Sequence, residues 1–255
     1  HHSTTWIGRQ AVEEARRFGP EGGSFLIVGF VKPHHPFDPP AQWADRYREA
    51  DLALPAGWTE MPLPRDLAWS EGYFPHAELS VDVLRRVVAH YYATISHMDY
   101  WIGRIIETLE ESGVYDDTLI VFTVDHGEYL GFHHLLLKGG PLYEPLMRVP
   151  LVVKSASGKR SGRVSAVDSV SGLHSNTDIG AMILAECGLR EPPQPREYVC
   201  AHAPARGSET ASAMVRSSRY KLVRGPLESM FFDLSLDPLE LNNALSNPEY
   251  ARAVA

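Results

Sequence analysis

The sequence is poor in cysteine, because only Cys187 and Cys200 occur among its 255 residues. Two cysteines cannot build a disulfide framework, and these two lack the spacing of a zinc or redox motif. We therefore expect both to be buried as small apolar side chains. No apolar run approaches the roughly 20 residues of a membrane-spanning helix. No secretory leader is recognisable, and any leader would precede His1.

The sequence also lacks an excess of positive charge. It contains 24 Lys and Arg against 32 Asp and Glu, a formal net charge of -8. This balance argues against a nucleic-acid-binding surface, but it leaves room for a local basic pocket that binds a small anion. The hydrophobic content of 44%, with 20 Gly and 19 Pro, is that of a globular protein. Collagen-like sequence and extensive disorder are therefore excluded.

Hydrophobic periodicity predicts alternating helices and strands. Apolar residues recur at helical spacing in three segments, residues 3–17, 80–112 and 175–188. Continuous apolar runs, typical of strands buried on both faces of a sheet, occupy residues 25–30, 118–123 and 149–154. This alternation predicts an α/β sandwich of layers.

The pattern changes after Pro192 and Pro193. Four short strand-like runs follow, at residues 198–202, 213–216, 220–224 and 230–233. We therefore divide the chain into a core of residues 1–192 and a small antiparallel β subdomain with a C-terminal tail, residues 193–255. Within the core, the proline-rich residues 33–69 show no periodicity and are expected to form a long, ordered surface excursion.

Asp125 and His126 directly follow the predicted strand 118–123. In open α/β sheets, ligands bind outside the carboxyl ends of the strands. A carboxylate suits a hard cation, and an imidazole suits a transition metal. The pair is therefore a candidate site for a divalent metal. The alternative is that Asp125 merely caps a following helix.

Two further polar clusters follow predicted strands. Lys138 lies after His133 and His134 and before two glycines, in an otherwise apolar stretch, so it can reach into a cleft and bind an anion. His34 and its neighbour His35 follow the strand 25–30 and lie between prolines, which restrain the backbone. A histidine here can bind an oxyanion or protonate a leaving group. Each cluster alone is more often structural than catalytic, but three at strand ends favour one anion site.

Several of these segments resemble the sulfatase family of the alkaline phosphatase superfamily. The resemblance covers nearly the whole chain. It is carried by residues 25–40 (FLIVGFVKPHHPFDPP), 98–106, 117–131 (DTLIVFTVDHGEYLG), 138–153, 216–222 and 232–243 (FDLSLDPLELNN). Two residues depart from the family pattern. Phe132 stands where an acidic residue is usual, and His134 stands where glycine or a bulkier residue is seen. The resemblance implies part of an alkaline-phosphatase-like three-layer sandwich with a small C-terminal antiparallel sheet.

The resemblance also implies roles for individual residues. Asp125 and His126 would be two ligands of a divalent metal, calcium in the first place, with manganese or magnesium as alternatives. Lys138 and His34 would contact the sulfate oxygens and stabilise charge on the leaving oxygen. His133 would be a further substrate-binding residue.

One element of the family is missing from this sequence. The family's nucleophile is a cysteine or serine, oxidised to formylglycine, in a motif with a nearby proline or alanine and an arginine; two aspartates complete its metal site. The segment at Cys200 has the wrong spacing and Cys187 has no such proline, so we reject both. The resemblance thus implies the C-terminal portion of a sulfatase. We expect these 255 residues alone to be inactive and to expose an unpaired sheet edge unless the missing portion or a second copy covers it.

Three functional hypotheses remain open. The first is a sulfuric ester hydrolase that acts on a small sulfate ester. The second is a phosphonate monoester or phosphodiester hydrolase of the same superfamily, because the Asp-His and Lys pattern fits either. The third is a non-catalytic, sulfatase-like binding protein. The sequence does not identify the substrate or the cellular location.

Overall fold

The computed structural model describes residues 2–70, 75, 78–156, 172–203, 211–225 and 228–254. The chain falls into two compact units. The first comprises His1–Leu54, Ser80–Ile120 and Lys154–Val164, and the second comprises Pro55–Leu79, Val121–Val153 and Ser165–Ala255. The predicted boundary at residue 192 follows a different division and stays a prediction.

The described residues form seven α-helices and six strands. In chain order these are α1 (Ser3–Ala15), α2 (Ala41–Ala44), α3 (Pro64–Ser70), α4 (Val81–Glu111), β1 (Ile120–Thr123), α5 (Glu144–Met147), β2 (Leu151–Lys154), α6 (Ile179–Glu186), β3 (Tyr198–Ala203), β4 (Ser212–Ser217), β5 (Tyr220–Arg224), β6 (Met230–Asp233) and α7 (Ala251–Val254). None of these helices is long and apolar enough to cross a membrane.

The first unit is built on α4, against which α1 and α2 pack. The side chain of Ser80 accepts the backbone N–H of Val83 and so caps the first turn of α4. Gly113 follows the helix with a φ of 69°, a conformation that favours glycine. The predicted helices 3–17 and 80–112 are therefore confirmed.

His97 is a buried polar residue in this first unit, on α4. Its Nε2 lies 3.0 Å from the hydroxyl of Thr5 and 3.3 Å from the indole N–H of Trp101. Trp43 stacks on its ring at 5.3 Å. Burial and, to a smaller extent, the neighbouring His2 lower the pKa of His97 to about 4. His97 is thus a neutral acceptor in the helix packing.

The predicted strand at residues 25–30 is wrong. No strand pairing involves this segment in the described part of the chain, and the side chains of Phe25 and Ile27 are 72% and 79% exposed. An apolar run indicates a tendency to be buried, but only a neighbour with free N–H and C=O groups turns it into a strand. The other two runs are strands, because β1 and β2 form a two-stranded sheet. They are half-buried rather than fully buried, as Val152 shows.

The C-terminal strands form one antiparallel sheet in the order β3-β4-β5-β6, which confirms the predicted meander. Met214, Val223 and Met230 are paired across three strands and belong to one hydrophobic core cluster. Cys200 lies on the exposed face of the edge strand β3, and Cys187 is exposed after α6. The expected burial of the two cysteines is therefore wrong.

A buried ion network ties α5 to this sheet. Lys221, fully buried on β5, contacts Glu144 at 3.2 Å and Glu240 at 2.8 Å. Glu240 in turn accepts the backbone N–H of Glu144, and Arg216 on β4 binds the Glu144 carboxylate. Burial alone would raise the pKa of Glu144, but Lys221 and Arg216 lower it. The network fixes the start of α5, which lies beside Gly127.

Candidate active site

The end of β1 is held by side-chain hydrogen bonds. The hydroxyl of Thr123 donates to the carbonyl of Pro150 at 2.9 Å, and the amide of Asn176 donates to the carbonyl of Val124 at 2.8 Å. Asn176 belongs to a single helical turn that a Ser175 capping box begins. The sequence pattern predicts a helix at residues 175–188 and gives no signal of the contact between Asn176 and this strand.

Asp125 follows this fixed strand end. Its side chain is 87% exposed, and one carboxylate oxygen accepts the backbone N–H of His126 at 2.9 Å. No helix begins after it, so the alternative of a mere helix cap is wrong. The carboxylate is therefore accessible to a ligand from solvent.

The ring of His126 is oriented by its own backbone. Its Nδ1 lies 2.8 Å from the carbonyl oxygen of Gly127. A carbonyl oxygen only accepts, so Nδ1 carries a proton, and Nε2 keeps a lone pair because it accepts from the ammonium group of Lys138. Nε2 lies 3.7 Å from the carboxylate of Asp125. One imidazole lone pair and one carboxylate thus face the same place.

Gly127 allows the chain to pass close to α5. A Cβ at this position would lie 1.9 Å from the carbonyl oxygen of Pro145. The backbone N–H of Gly127 donates to the carbonyl of Leu146 at 2.7 Å. The glycine after Asp125 and His126 is therefore required by packing. The ion network at Glu144 fixes the helix α5 against which this glycine packs.

Lys138 meets His126 at this place. Its ammonium group lies 3.2 Å from Nε2 of His126 and donates to the lone pair. Glu128 lies between the two residues in sequence, and burial raises its pKa to about 7 despite opposing hydrogen bonds from Leu130 and Leu137. The sequence interpretation missed Glu128, because an acidic residue after a glycine carries no signal of its burial.

The segment that carries Lys138 has a strained backbone. Four of its residues other than glycine have a positive φ: Leu130 (48°), His133 (52°), His134 (65°) and Leu137 (67°). Such conformations persist only where the surroundings impose them. Here Tyr129, Phe132 and Leu135 are buried in the core cluster shared with the C-terminal sheet. His134 also stacks on Trp58 and bonds the carbonyl of Thr59 at 2.9 Å.

The predicted site residues do not all share this environment. Asp125, His126 and Lys138 are brought together. His133 belongs to the same segment but is completely buried, with Nε2 donating to the carbonyl of Leu239 at 2.7 Å. Its role as a substrate contact stays a prediction that these contacts do not support.

His34 lies in the first unit, and its side chain is exposed. It stacks on His35 at 4.1 Å, and its Nδ1 lies 2.7 Å from the carbonyl of His35. The backbone nearby is held by the buried ammonium of Lys32, which binds Asp38 and the carbonyl of Pro36. An accessible imidazole on a locally fixed loop is suited to bind an anion. The role of His34 as a sulfate contact stays a prediction.

Asp125 and His126 offer part of the donor set that a divalent cation needs. Asp125 offers carboxylate oxygen and His126 offers a ring nitrogen, both of which such ions accept. Within the described ranges no cluster of three or more His, Cys, Asp or Glu side chains could hold an ion. The two residues therefore fit part of a cation site whose remaining ligands would come from elsewhere.

A model of the sulfatase family matches residues 9–188. The chain belongs to the sulfatase family. It is 29% identical to an arylsulfatase of Clostridium perfringens over 99% of its length, which covers 56% of that relative. It is 30% identical to the multifunctional alkaline phosphatase superfamily protein PehA of Trinickia caryophylli, over 90% of this chain and 53% of that relative. The chain thus spans little more than half the length of these relatives.

Solved structures share the fold. The phosphonate monoester hydrolase of Agrobacterium radiobacter superposes with a TM-score of 0.83 at 23% identity, covering 98% of this chain and 58% of that one. A protein solved with its substrate D-glucosamine-2-N,6-O-disulfate superposes with a TM-score of 0.82 at 18% identity. The match covers 99% of this chain and 67% of that one. These likenesses confirm the predicted alkaline-phosphatase-like α/β fold with its C-terminal sheet.

Proposed function

We propose that the protein is a sulfuric ester hydrolase that acts with a divalent cation. The observation that supports this most is the contact between the Lys138 ammonium and His126, beside the exposed carboxylate of Asp125. A cation-binding pair and an anion-binding group at one strand end are the groups that sulfate transfer needs. The relatives named arylsulfatase and choline-sulfatase are consistent with this chemistry.

Asp125 and His126 would hold the cation. Calcium is our first candidate, because the family resemblance implies it; manganese and magnesium are alternatives, since the carboxylate is a hard oxygen donor that all three ions accept. When bound, the ion would neutralise negative charge on the sulfate oxygens. The Gly127 carbonyl fixes the ring of His126 with a proton on Nδ1, so Nε2 would bind the ion without a change of tautomer once the Lys138 ammonium turns from its lone pair to the substrate.

Lys138 and His34 would act on the ester itself. The ammonium of Lys138 donates hydrogen bonds where negative charge grows on the departing oxygen, which is the kind of stabilisation with the largest effect in such reactions. The imidazole of His34 would bind a sulfate oxygen or protonate the leaving group. Glu128, whose pKa burial raises to about 7, lies close enough to Lys138 to interact with its charge.

A second candidate is a phosphonate monoester or phosphodiester hydrolase. Two such phosphonate hydrolases superpose with TM-scores of 0.83 and 0.79, and PehA is among the relatives. Phosphonate and sulfate esters share a tetrahedral centre with charged oxygens. The same Asp, His and Lys side chains can therefore serve either substrate.

The test is hydrolysis by the protein encoded by the complete gene. Rates on 4-nitrophenyl sulfate and on a phenylphosphonate monoester are compared with calcium, manganese or chelator present. A sulfate rate that exceeds the phosphonate rate and is lost with chelator supports the proposal. A higher phosphonate rate selects the second candidate. No turnover of either ester with any of these metals rejects both and favours the non-catalytic alternative.

Asp125→Asn provides the sharper arm, with Asp117→Asn as its matched control. Both changes remove one exposed carboxylate next to β1, but Asp117 precedes the strand and Asp125 follows it. We expect Asp125→Asn to raise the metal concentration needed for half-maximal rate, and Asp117→Asn to leave it unchanged. Equal behaviour of the two variants would remove Asp125 from the cation site.

A further inference from the structure

An acid and a base are buried together behind the segment that carries Lys138. Asp66 on α3 and the ring of His133 are both completely inaccessible to solvent, and Oδ2 of Asp66 lies 3.4 Å from Nδ1 of His133. The sulfate chemistry proposed above uses neither residue. Two buried ionisable groups are costly unless they stabilise each other, so the pair needs an explanation of its own.

The hydrogen bonds around the ring indicate where its protons lie. Nε2 of His133 lies 2.7 Å from the carbonyl oxygen of Leu239, which can only accept, so Nε2 carries a proton. Nδ1 is buried and has no hydrogen-bond partner among the described residues. Without a proton, its lone pair would face the carboxylate of Asp66. A second ring proton converts that repulsion into an attraction between opposite charges.

The surroundings of Asp66 favour an ionised carboxylate. The hydroxyl of Tyr143 donates to its Oδ1 at 2.8 Å, and the guanidinium of Arg65 donates to the same hydroxyl at 2.9 Å. Burial raises the pKa of Tyr143, so this hydroxyl keeps its proton as a donor. A carboxylate that accepts such a bond, near a guanidinium, is stabilised in its charged form.

The pair holds the strained part of the Lys138 segment. The backbone of His133 has a φ of 52°, and its N–H donates to the carbonyl of Gly57 at 2.8 Å. Its ring is fixed between Asp66 and Leu239. Because two ring contacts and one backbone hydrogen bond hold this residue, the chain must pass this point in one conformation, and Lys138 follows five residues later.

We propose that His133 is a buried imidazolium, paired with Asp66, that acts as a positioning residue for Lys138. The positioning role rests on the proposed function of Lys138 in ester hydrolysis. His133 then touches no substrate. It keeps the left-handed turn at residues 133–134 closed, so that the Lys138 ammonium stays beside His126.

The protonation state is tested by NMR of the protein labelled with 15N in its histidine rings. His133→Asn identifies the His133 signals, and asparagine tolerates the positive φ. We expect both ring nitrogens of His133 to be protonated at pH 7.5 in the unaltered protein, and only Nε2 in Asp66→Asn, which keeps the acceptor for Tyr143. An unprotonated Nδ1 in the unaltered protein would overturn the imidazolium.

The positioning role is tested by the nuclear Overhauser effect between the ε-methylene of Lys138 and the ring of His126. We expect it in the unaltered protein, and we expect it to be lost in Asp66→Asn. The control is Arg219→Gln, which breaks the ion pair with the buried carboxylate of Asp233, elsewhere in the same unit. The control should lose stability but retain the contact. Retention of the contact in Asp66→Asn would overturn the positioning role.

Kinetics add a readout that loss of stability alone would not give. We expect Asp66→Asn to lower kcat about tenfold or more with little change in KM, because a misplaced charge-stabilising group affects the transition state. Arg219→Gln should change neither constant. If no ester is turned over, the proposed function fails, while the ring protonation and the Lys138 contact still decide the present inference.

Discussion

Two buried histidines show how differently the two units use the same side chain. His97 in the first unit meets two neutral donors, the hydroxyl of Thr5 and the indole of Trp101, and stacks on Trp43. His133 in the second unit meets two acceptors, the carbonyl of Leu239 and the carboxylate of Asp66. Donors favour the neutral ring and acceptors favour the protonated one.

The difference in partners matches a difference in role: His97 stabilises helix packing, and His133 positions an irregular segment. His97 completes the contact of α1 and α2 with α4 on a regular helix, where backbone hydrogen bonds already fix the chain. His133 lies in a segment without regular structure, so side-chain contacts must replace the missing backbone ladder. The comparison therefore predicts that changes near His133 affect the candidate site, whereas changes near His97 affect stability alone.

The largest effect is expected from Lys138→Met, because this change removes the ammonium group that His133 is proposed to position. The change keeps a long side chain and removes the charge that stabilises the leaving oxygen. We expect kcat/KM of the protein to fall about 10²- to 10³-fold, as measured with the preferred ester of the substrate comparison. His97→Gln should leave kcat/KM nearly unchanged. A similar loss in both variants would break the distinction between the two units.

Gly127→Ala tests how tightly the second unit is packed. The new Cβ would lie 1.9 Å from the Pro145 carbonyl, so the backbone must shift. We expect a loss of about 1–3 kcal/mol in the free energy of unfolding, measured by urea denaturation. Gly103→Ala on α4 meets nothing within 4 Å and should instead stabilise by about 0.5–1 kcal/mol. A neutral Gly127→Ala would contradict the close approach to α5.

The pH dependence of the free energy of unfolding tests whether His97 is neutral in the folded protein. Folding lowers its pKa from 6.5 to about 4, so its contribution is fully present above pH 6.5 and is lost as the pH falls toward 4. The slope from this one group is at most about 1.4 kcal/mol per pH unit. His97→Gln should show a smaller decrease over this range in urea denaturation. Equal slopes would mean that folding does not lower the pKa of His97.

The smallest effect is expected at the start of α4. Ser80→Ala removes the side-chain acceptor of the Val83 N–H and should cost about 1 kcal/mol of stability. Ser80→Asn keeps an acceptor and should cost less. Thermal unfolding followed by circular dichroism measures both. A loss confined to the first unit is expected, and a reduced rate of ester hydrolysis would contradict it.

Much of the fold could be predicted, because local patterns determine it. The run at residues 220–224 coincides with β5, and 230–233 with β6, since each strand pairs with a sequence neighbour across a short connection. Residues 25–30 have an equally apolar pattern but no such neighbour, and they form no strand. A sequence pattern reports what a segment tends to bury and does not name its partner.

The candidate site could be predicted only in part. Asp125, His126 and Lys138 carry local signals of residue type and flanking glycine, and the structure brings them together. Asp66 and His133 carried no such signal for their contact, because 67 positions separate them in the sequence and burial alone unites them. His133 was recognised as a site residue, but its burial and its bond to Leu239 are tertiary facts that spacing does not reveal.

Paramagnetic broadening by Mn²⁺ tests most directly whether Asp125 and His126 form a cation site. In the histidine-labelled protein, the ring signal of His126 should broaden at the lowest Mn²⁺ concentration, an excess of calcium should reverse the effect, and Asp125→Asn should abolish it. A His126 signal that stays sharp while signals near other acidic side chains broaden would contradict the account.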